Sequence, residues 1–233
     1  MSVEIEVVPD PARACAAMMV GAAADGGHVV LTGGSTPRVA YQEFVQAVTA
    51  VDVDLSRTTF WFGDERCVPP DDERANYGMA KAALLDLLGD RPVGRVVRMK
   101  GELGPEEGAA DYERELAEAG RPEFDLLLLG IGPDGHTASM FPDQESLSER
   151  SRLVAGVAMS GLEPFVPRIT LTLPGLALAR HAVVLAVGDS KADAIAAAFG
   201  PDAKPDPHVP SSLLPSTVER LTVLIDPAAA AHL

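Results

Sequence analysis

Apolar runs rich in β-branched residues alternate along the chain with alanine- and leucine-rich stretches whose apolar positions recur at helical spacing. This alternation is typical of strands joined by crossover helices. It predicts an α/β fold with a mostly parallel sheet. The predicted strands cover residues 3–8, 28–31, 58–62, 96–99, 124–129, 153–158, 169–173, 181–187 and 221–225.

Capping residues and prolines mark where the predicted helices begin. Asp10 before Pro11 is typical of an N-cap followed by a proline in the first turn, and Thr36 before Pro37 repeats this signal for a helix to about residue 47. Asn76 is predicted to cap a helix that ends near residue 88. Further helices are predicted over residues 106–119 and 190–198. Residues 201–215 contain five prolines and are expected to form an ordered surface loop or arm.

Composition and charge narrow the class of protein. The chain has 233 residues, of which 47% are hydrophobic, so a disordered protein is excluded. Its 34 acidic residues against 19 basic ones give a net charge of −15, which repels nucleic acid and anionic lipid surfaces. The N-terminal segment is acidic where a signal peptide is basic. We therefore expect a cytoplasmic protein without a nucleic-acid or membrane partner, and a monomer or small homo-oligomer.

Loops with glycine and polar side chains directly follow several predicted strands. They have the sequences GGSTP at 33–37, GDER at 63–66, GIGPDGHTAS at 130–139 and GDSK at 188–191. Ligands of open α/β sheets bind beyond the carboxyl ends of the parallel strands. These loops are therefore the candidates for one site.

Two of these loops have features of an anion site. Gly33, Gly34, Ser35 and Thr36 join a strand to a helix N-terminus, where free N–H groups and the helix dipole favour a phosphate. A glycine turn with a threonine cap also occurs for structural reasons alone. Lys191 lies near another helix start, where a cation is unfavourable unless an anion is bound there.

The loop after the strand 124–129 carries the best candidates for acid–base chemistry. Asp134 and His136 lie two residues apart among glycines, which places a carboxylate beside an imidazole. The alternative is that both side chains only bond within their own loop. Gly130–Gly135 also matches a dinucleotide fingerprint, but Pro133 interrupts the turn and residues 153–158 contain no acidic residue, so this interpretation is rejected.

Other polar residues could reach the same edge. Asp64 and Arg66 directly follow the strand 58–62, although a solvated charged loop would also explain them. Arg168 precedes its strand, so it reaches this edge only if that strand is antiparallel or a loop folds back. Scattered histidines argue against a metal site, and without a G-x-S-x-G motif water is the better nucleophile. Cys15 and Cys67 are expected to be reduced thiols.

Six strings together resemble the 6-phosphogluconolactonase family in order and spacing over residues 28–198: LTGGSTP, WFGDER, NYGM, LLLLGIGPDGHTASMFP, PRITLTLP and VGDSKADAI. The resemblance implies hydrolysis of 6-phosphogluconolactone in the pentose phosphate pathway. It also implies one catalytic domain over residues 1–233 with a Rossmann-like sheet, as in ribose-5-phosphate isomerase and glucosamine-6-phosphate deaminase. No metal or organic cofactor is implied.

The alternatives are a glucosamine-6-phosphate deaminase and a non-catalytic sugar-phosphate-binding module. In the deaminases a glutamate follows the loop histidine by five residues, but this chain has Phe141 there. The deaminases also have Asp-Glu-Tyr where this chain has Asp64-Glu65-Arg66. Sensing modules normally accompany a DNA-binding domain, for which this chain has neither room nor a basic face. These departures favour the lactonase.

The chemistry of the candidate residues and, for Arg168 and Lys191, their positions in the family strings suggest a role for each. His136 would take a proton from water, and Asp134 would orient the imidazole while Asp64 holds sugar hydroxyls, with the two aspartates left unranked. The oxyanion would bind to N–H groups of Gly33 and Gly34 or of the turn that ends at Gly135. The residues expected to hold the 6-phosphate are Arg168 and Lys191 with Ser35 and Thr36, and Arg66 adds a further cation.

Overall fold

The computed structural model describes residues 2–233, which form ten strands and eight helices. The strands are β1 Ser2–Val7, β2 His28–Leu31, β3 Leu55–Phe62, β4 Asp64–Arg66, β5 Val93–Val96, β6 Leu126–Leu129, β7 Val154–Val157, β8 Arg168–Leu171, β9 His181–Ala186 and β10 Arg220–Ile225. The helices are α1 Pro11–Ala24, α2 Ser35–Ala50, α3 Asn76–Ala80, α4 Asp86–Leu88, α5 Pro105–Glu118, α6 Leu173–Leu176, α7 Ala192–Phe199 and α8 Leu214–Thr217. A π-helical segment, Lys81–Leu85, joins α3 to α4.

Seven of the strands form one parallel sheet in the order β1-β10-β9-β6-β2-β3-β5. The predicted α/β fold with a mostly parallel sheet is therefore confirmed. From β2 the chain adds β3 and β5 on one side, and from β6 it adds β9 and β10 on the other. The order thus reverses between β2 and β6. In open α/β sheets this is where a crevice forms for a ligand.

The central strands are buried on both faces, as parallel sheets covered by helices require. Every residue of β6 is buried, and its sequence is four leucines. Two buried tyrosines fix the strand ends that precede the site loops. The Tyr41 hydroxyl accepts the N–H of Thr32 at 2.8 Å after β2, and the Tyr112 hydroxyl accepts the N–H of Phe62 at 2.8 Å at the end of β3.

A second, three-stranded antiparallel sheet, β4-β8-β7, was not predicted from the sequence. β4 lies in the segment predicted to be a loop after residue 62. β8 pairs antiparallel with β4, and Arg66 lies directly opposite Arg168. Antiparallel pairing was one of the two arrangements that would bring Arg168 to the shared edge. The small sheet therefore positions both arginines.

The helix starts are only partly as predicted. Asp10 caps α1, and its carboxylate accepts the N–H of Arg13 at 3.0 Å. Thr36 does not cap α2, because the helix begins at Ser35 and Gly34 occupies the N-cap position with φ +116°. Asn76 does not cap α3 either, since it is the first helical residue and its side chain is bonded elsewhere. Residues 201–215 contain the short 3₁₀ turn Pro210–Leu213 and the start of α8.

No helix in residues 2–233 combines the length and the apolar composition that a membrane crossing needs.

Candidate active site

A cavity of about 180 Å³ lies at the sheet edge beyond β2, β3, β6 and β9. Its lining combines residues from all four glycine-containing loops that the sequence singled out. They are Thr32, Gly33, Gly34, Asp64, Arg66, Asn76, Gly130, Ile131, Gly132, Pro133, His136, Ala138, Leu162 and Lys191. A larger depression of about 730 Å³ lies between α2 and the segment 70–83, but none of the predicted site residues lines it.

His136 and Asp134 form a hydrogen-bonded pair at this cavity. His136 Nδ1 lies 2.6 Å from Asp134 Oδ1, and the His136 N–H donates to the same oxygen at 3.2 Å. Burial raises the pKa of Asp134, but the hydrogen bond and charge of His136 outweigh it, so this pKa lies below its ordinary value. With Nδ1–H donating to Asp134, Nε2 is the ring nitrogen that can accept a proton. The ring packs on Phe141 at a centroid distance of 4.6 Å.

Asp64 joins three loops of the site. Its Oδ2 accepts the Ser139 hydroxyl at 2.6 Å, and its Oδ1 accepts Nδ2 of Asn76 at 3.1 Å. Asn76 Nδ2 also donates to the Asp64 carbonyl at 2.9 Å. On its other side, the Asn76 amide lies so close to Gly33 that a Cβ there would be 2.0 Å from Oδ1. Gly33 is thus needed for close approach as well as for the turn.

Asn76 and Ser139 are site residues that sequence reasoning missed. The prediction that Asn76 caps a helix is wrong, because its amide is bonded to Asp64. Ser139 was only part of the loop string. Both lie within strings that carry the family resemblance, and this was the signal that could have identified them.

Glu65 fastens the start of α3 to β4. Its Oε1 accepts the N–H groups of Arg66 and Asn76, and its Oε2 accepts that of Tyr77, each at 2.7 Å. Burial raises the pKa of Glu65 to about 7, and the charge of Asp64 also raises it. The three N–H bonds lower this pKa but do not offset the effect of burial. The carboxyl group therefore has a structural task next to the cavity.

Arg66 and Lys191 line the cavity, and Arg168 lies opposite Arg66 on the neighbouring strand β8. Burial, and then the charge of Arg66, lower the pKa of Arg168 to about 10. Arg168 is buried and donates Nη2 to the Pro164 carbonyl at 2.7 Å. Arg66 lines the cavity, and its buried Nε has no partner among the described residues. Like charges directly across a strand pair are unfavourable, so this arrangement favours a bound anion.

Lys191 lines the cavity from the loop after β9. Its Nζ donates to the Ile131 carbonyl at 2.9 Å. Burial lowers its pKa, while the charge of Asp134 raises it. Lys191 therefore links two loops of the site and brings a positive charge to the side of the cavity that holds His136.

The remaining predicted residues do not line this cavity. Ser35 and Thr36 line a separate depression beside the start of α1. Gly135 is turned away, and its carbonyl accepts hydrogen bonds from Ser211. Arg168 lies opposite Arg66 on β8, outside the lining. Among residues 2–233, no three His, Cys, Asp or Glu side chains converge to hold a metal ion. The two cysteines are free thiols, as predicted.

Comparison with known proteins shows the family. The model of the glucosamine-6-phosphate isomerases/6-phosphogluconolactonase family matches residues 6–223. The 6-phosphogluconolactonase of Homo sapiens is 40% identical over 205 residues, which cover 86% of this chain and 78% of the human protein. That of Streptomyces coelicolor is 41% identical over 183 residues, or 73% and 69% of the two chains.

Solved structures agree with the sequence relatives. The 6-phosphogluconolactonase from Trypanosoma brucei superimposes with a TM-score of 0.82 at 26% identity, over 100% of this chain and 99% of that one. A monomeric glucosamine-6-phosphate deaminase reaches a TM-score of 0.85 over the full length of both chains, but at 18% identity it shows the fold alone. The chain belongs to the glucosamine-6-phosphate isomerase/6-phosphogluconolactonase family.

Proposed function

We propose that this chain hydrolyses 6-phospho-D-glucono-1,5-lactone to 6-phospho-D-gluconate in the oxidative pentose phosphate pathway. The observation that carries the proposal is the His136–Asp134 pair, 2.6 Å apart, at a cavity that also presents Arg66 and Lys191. Relatives named 6-phosphogluconolactonase, 40% identical in the human case, support the same reaction. We place it in the cytoplasm and in one catalytic domain.

His136 acts as the general base. Nε2 takes a proton from water as the water oxygen bonds to C1 of the lactone, and the Asp134 carboxylate stabilises the imidazolium that forms. The tetrahedral intermediate then collapses, the bond from C1 to the ring oxygen breaks, and that oxygen leaves with the proton from His136. The products are a carboxylic acid, which ionises, and a hydroxyl group on the same sugar chain.

The developing oxyanion needs donors that are already oriented. In the loop after β6, the N–H groups of Gly132 and Gly135 already donate within the turn, to the His136 and Gly132 carbonyls at 2.9 and 3.0 Å. By contrast, the N–H groups of Gly33 and Gly34, just before α2, have no backbone acceptor among residues 2–233. We assign the oxyanion to the turn at Gly33 and Gly34, which lines the cavity.

The 6-phosphate binds to Arg66 and Lys191. Arg66 lines the cavity, and a planar guanidinium can hold two phosphate oxygens at once. Arg168 lies across the strand pair from Arg66 and adds positive potential beside it. Asp64 faces the same cavity and is available to accept sugar hydroxyls on its remaining lone pairs.

A deaminase is the less favoured function. The position five residues after the loop histidine holds Phe141, which is buried and packs its ring on His136. No carboxylate therefore stands there to assist the opening of an aminosugar ring. A purely binding module is also less favoured, because the His136–Asp134 geometry suits proton transfer and a binding module has no need of it.

The test is the rate of acid release from freshly generated lactone, measured by pH-stat against spontaneous hydrolysis. The wild-type chain should accelerate the reaction strongly, and His136→Ala should abolish the acceleration. His208→Ala is the matched control, because His208 pairs with Asp206 at 2.9 Å in the same Asp-x-His spacing on the exposed surface. No acceleration by the wild type would reject the function, and ammonia release from glucosamine 6-phosphate would then identify a deaminase.

A further inference from the structure

The carbonyl of Gly135 lies in the turn that carries Asp134 and His136, and it accepts hydrogen bonds from a residue distant in sequence. The backbone N–H of Ser211 donates to this oxygen at 2.9 Å, and the Ser211 hydroxyl donates to it at 2.8 Å. Ser211 is fully buried, so water does not compete for either bond. It belongs to the proline-rich segment 201–215, here called the arm, to which the proposed reaction assigns no task.

The bonded carbonyl is part of the peptide unit that joins Gly135 to His136. This unit is planar and trans, so its C=O and the N–H of His136 point in opposite directions. That N–H donates to Asp134 Oδ1 at 3.2 Å, and the same oxygen lies 2.6 Å from Nδ1 of the imidazole. Fixing the carbonyl therefore fixes the orientation of the His136 ring relative to the Asp134 carboxylate.

The arm also packs against the turn from the same side. Gly135 has φ +79°, in the left-handed region that favours glycine, and a Cβ there would lie 2.7 Å from Cγ1 of Val209. The arm has ties of its own, since Ser212 Oγ accepts the N–H of Asp206 at 2.8 Å and donates to its carbonyl at 3.1 Å. The turn thus rests on a preformed segment.

We propose that Ser211 is a positioning residue: it sets the plane of the peptide between Gly135 and His136 and thereby the orientation of the imidazole toward Asp134 and the cavity. Ser211 does not line the cavity, so it acts through the turn and not on the substrate. The inference concerns the rate of the proposed hydrolysis, and in that respect it rests on the proposed function. The effect of Ser211 on the orientation of the ring does not depend on that function.

The kinetic test compares Ser211→Ala with Ser212→Ala. The first removes the hydroxyl bond to the turn and keeps the backbone bond, whereas the second removes bonds of a neighbouring buried serine within the arm alone. At saturating lactone, Ser211→Ala should lower kcat about three- to tenfold, with KM changed less than about twofold. Ser212→Ala should keep the wild-type kcat, even if its melting temperature falls as far as that of Ser211→Ala.

Nuclear magnetic resonance gives a readout that needs no activity. The imidazole and amide resonances of His136 should shift in Ser211→Ala and stay in place in Ser212→Ala. Ser211→Cys keeps the shape of the side chain, fills the site and replaces the hydroxyl by a weak donor, so it gives the same comparison if the alanine variant fails to fold. Failure of the wild type to hydrolyse the lactone would reject the proposed function and leave this test intact. Unchanged His136 resonances, or equal losses of kcat in both serine variants, would overturn the positioning role.

Discussion

Replacing Asp134 by Asn isolates the charge that the proposed mechanism requires behind His136. The substitution keeps the shape of the side chain, removes its negative charge and offers an N–H₂ group where an acceptor stood. The amide oxygen that remains can still accept from the two donors that Oδ1 serves, Nδ1 at 2.6 Å and the N–H of His136 at 3.2 Å, so the variant removes the charge and keeps this acceptor. Because the pKa of Asp134 lies below its ordinary value, this charge is present throughout the neutral range.

The structure sets the size of the effect. A hydrogen bond to a charged group contributes about 1.5–3 kcal/mol. The side chains of Asp134 and His136 are 30% and 19% exposed, so water weakens the pair and the lower part of that range, about 1.5–2 kcal/mol, applies. At about 1.36 kcal/mol per factor of ten, kcat should fall roughly 10- to 30-fold. KM should change little, because neither group is assigned to the phosphate.

The assay is acid release at saturating lactone in a pH-stat, with Asp206→Asn as the matched control. Asp206 repeats the local geometry, with Nδ1 of His208 at 2.9 Å, but on the exposed surface of the arm. The control should keep the wild-type rate. An Asp134→Asn enzyme within about twofold of wild type, or equal losses in the two variants, would refute the role assigned to this charge.

Three further perturbations probe the phosphate site, the turn and the buried acid. Lys191→Ala should raise KM at least about tenfold and lower kcat less, since a phosphate held equally in the ground and transition states affects binding alone. Gly33→Ala should lower the melting temperature and the activity together, because its Cβ would lie 2.0 Å from Oδ1 of Asn76. Glu65→Gln should remove a pH dependence of the free energy of unfolding. The folded state holds this proton up to about pH 7, whereas the unfolded state releases it near 4.5, so wild-type stability falls across this window, by about 3 kcal/mol at most, as pH rises.

These variants have their own controls and contrary outcomes. Lys204→Ala removes an equal charge from the exposed arm and should leave KM unchanged. Gly21→Ala, in α1 with open space around its Cβ position, should stabilise the chain by up to about 1 kcal/mol. A kcat loss without a KM effect in Lys191→Ala would contradict the phosphate assignment. For Glu65→Gln, denaturant titrations at pH 5 and 7.5 should differ less than those of wild type, and an equal difference would contradict the buried-acid argument.

The sheet could be predicted from the sequence because its strands are long apolar runs. β6 is four leucines, and β9 is nearly as apolar, so burial on both faces is visible in the pattern alone. The loops that follow the parallel strands could then be assigned to one edge, and Gly33, Asp64 and His136 do line one cavity there. Parallel strands whose connections all cross in the same sense leave few other arrangements.

The small sheet could not be predicted in the same way. β4 has three residues, Asp64–Arg66, which is too short for any periodicity to appear and is entirely charged. Its pairing with β8 depends on contacts far apart in sequence. Asn76 shows the same limit: an asparagine at a helix start is favoured as a cap, and only the tertiary position of Asp64 shows that its amide is used otherwise.

The residue beside His136 gives a physical reason why one fold can serve the hydrolysis proposed here and ring opening in a related group. The deaminase structure superimposes with a TM-score of 0.85 at 18% identity, so the backbone alone does not choose the chemistry. Opening and isomerising an aminosugar moves protons at several atoms, which calls for a second acid–base group near the imidazole. Here the ring of Phe141 occupies that side of His136 at 4.6 Å and leaves Asp134 as the carboxylate bonded to the imidazole. An imidazole with one carboxylate behind it and an apolar ring at its side is suited to act as the single group that accepts a proton from water. Lactone hydrolysis requires no more than this, together with donors for the oxyanion and cations for the phosphate.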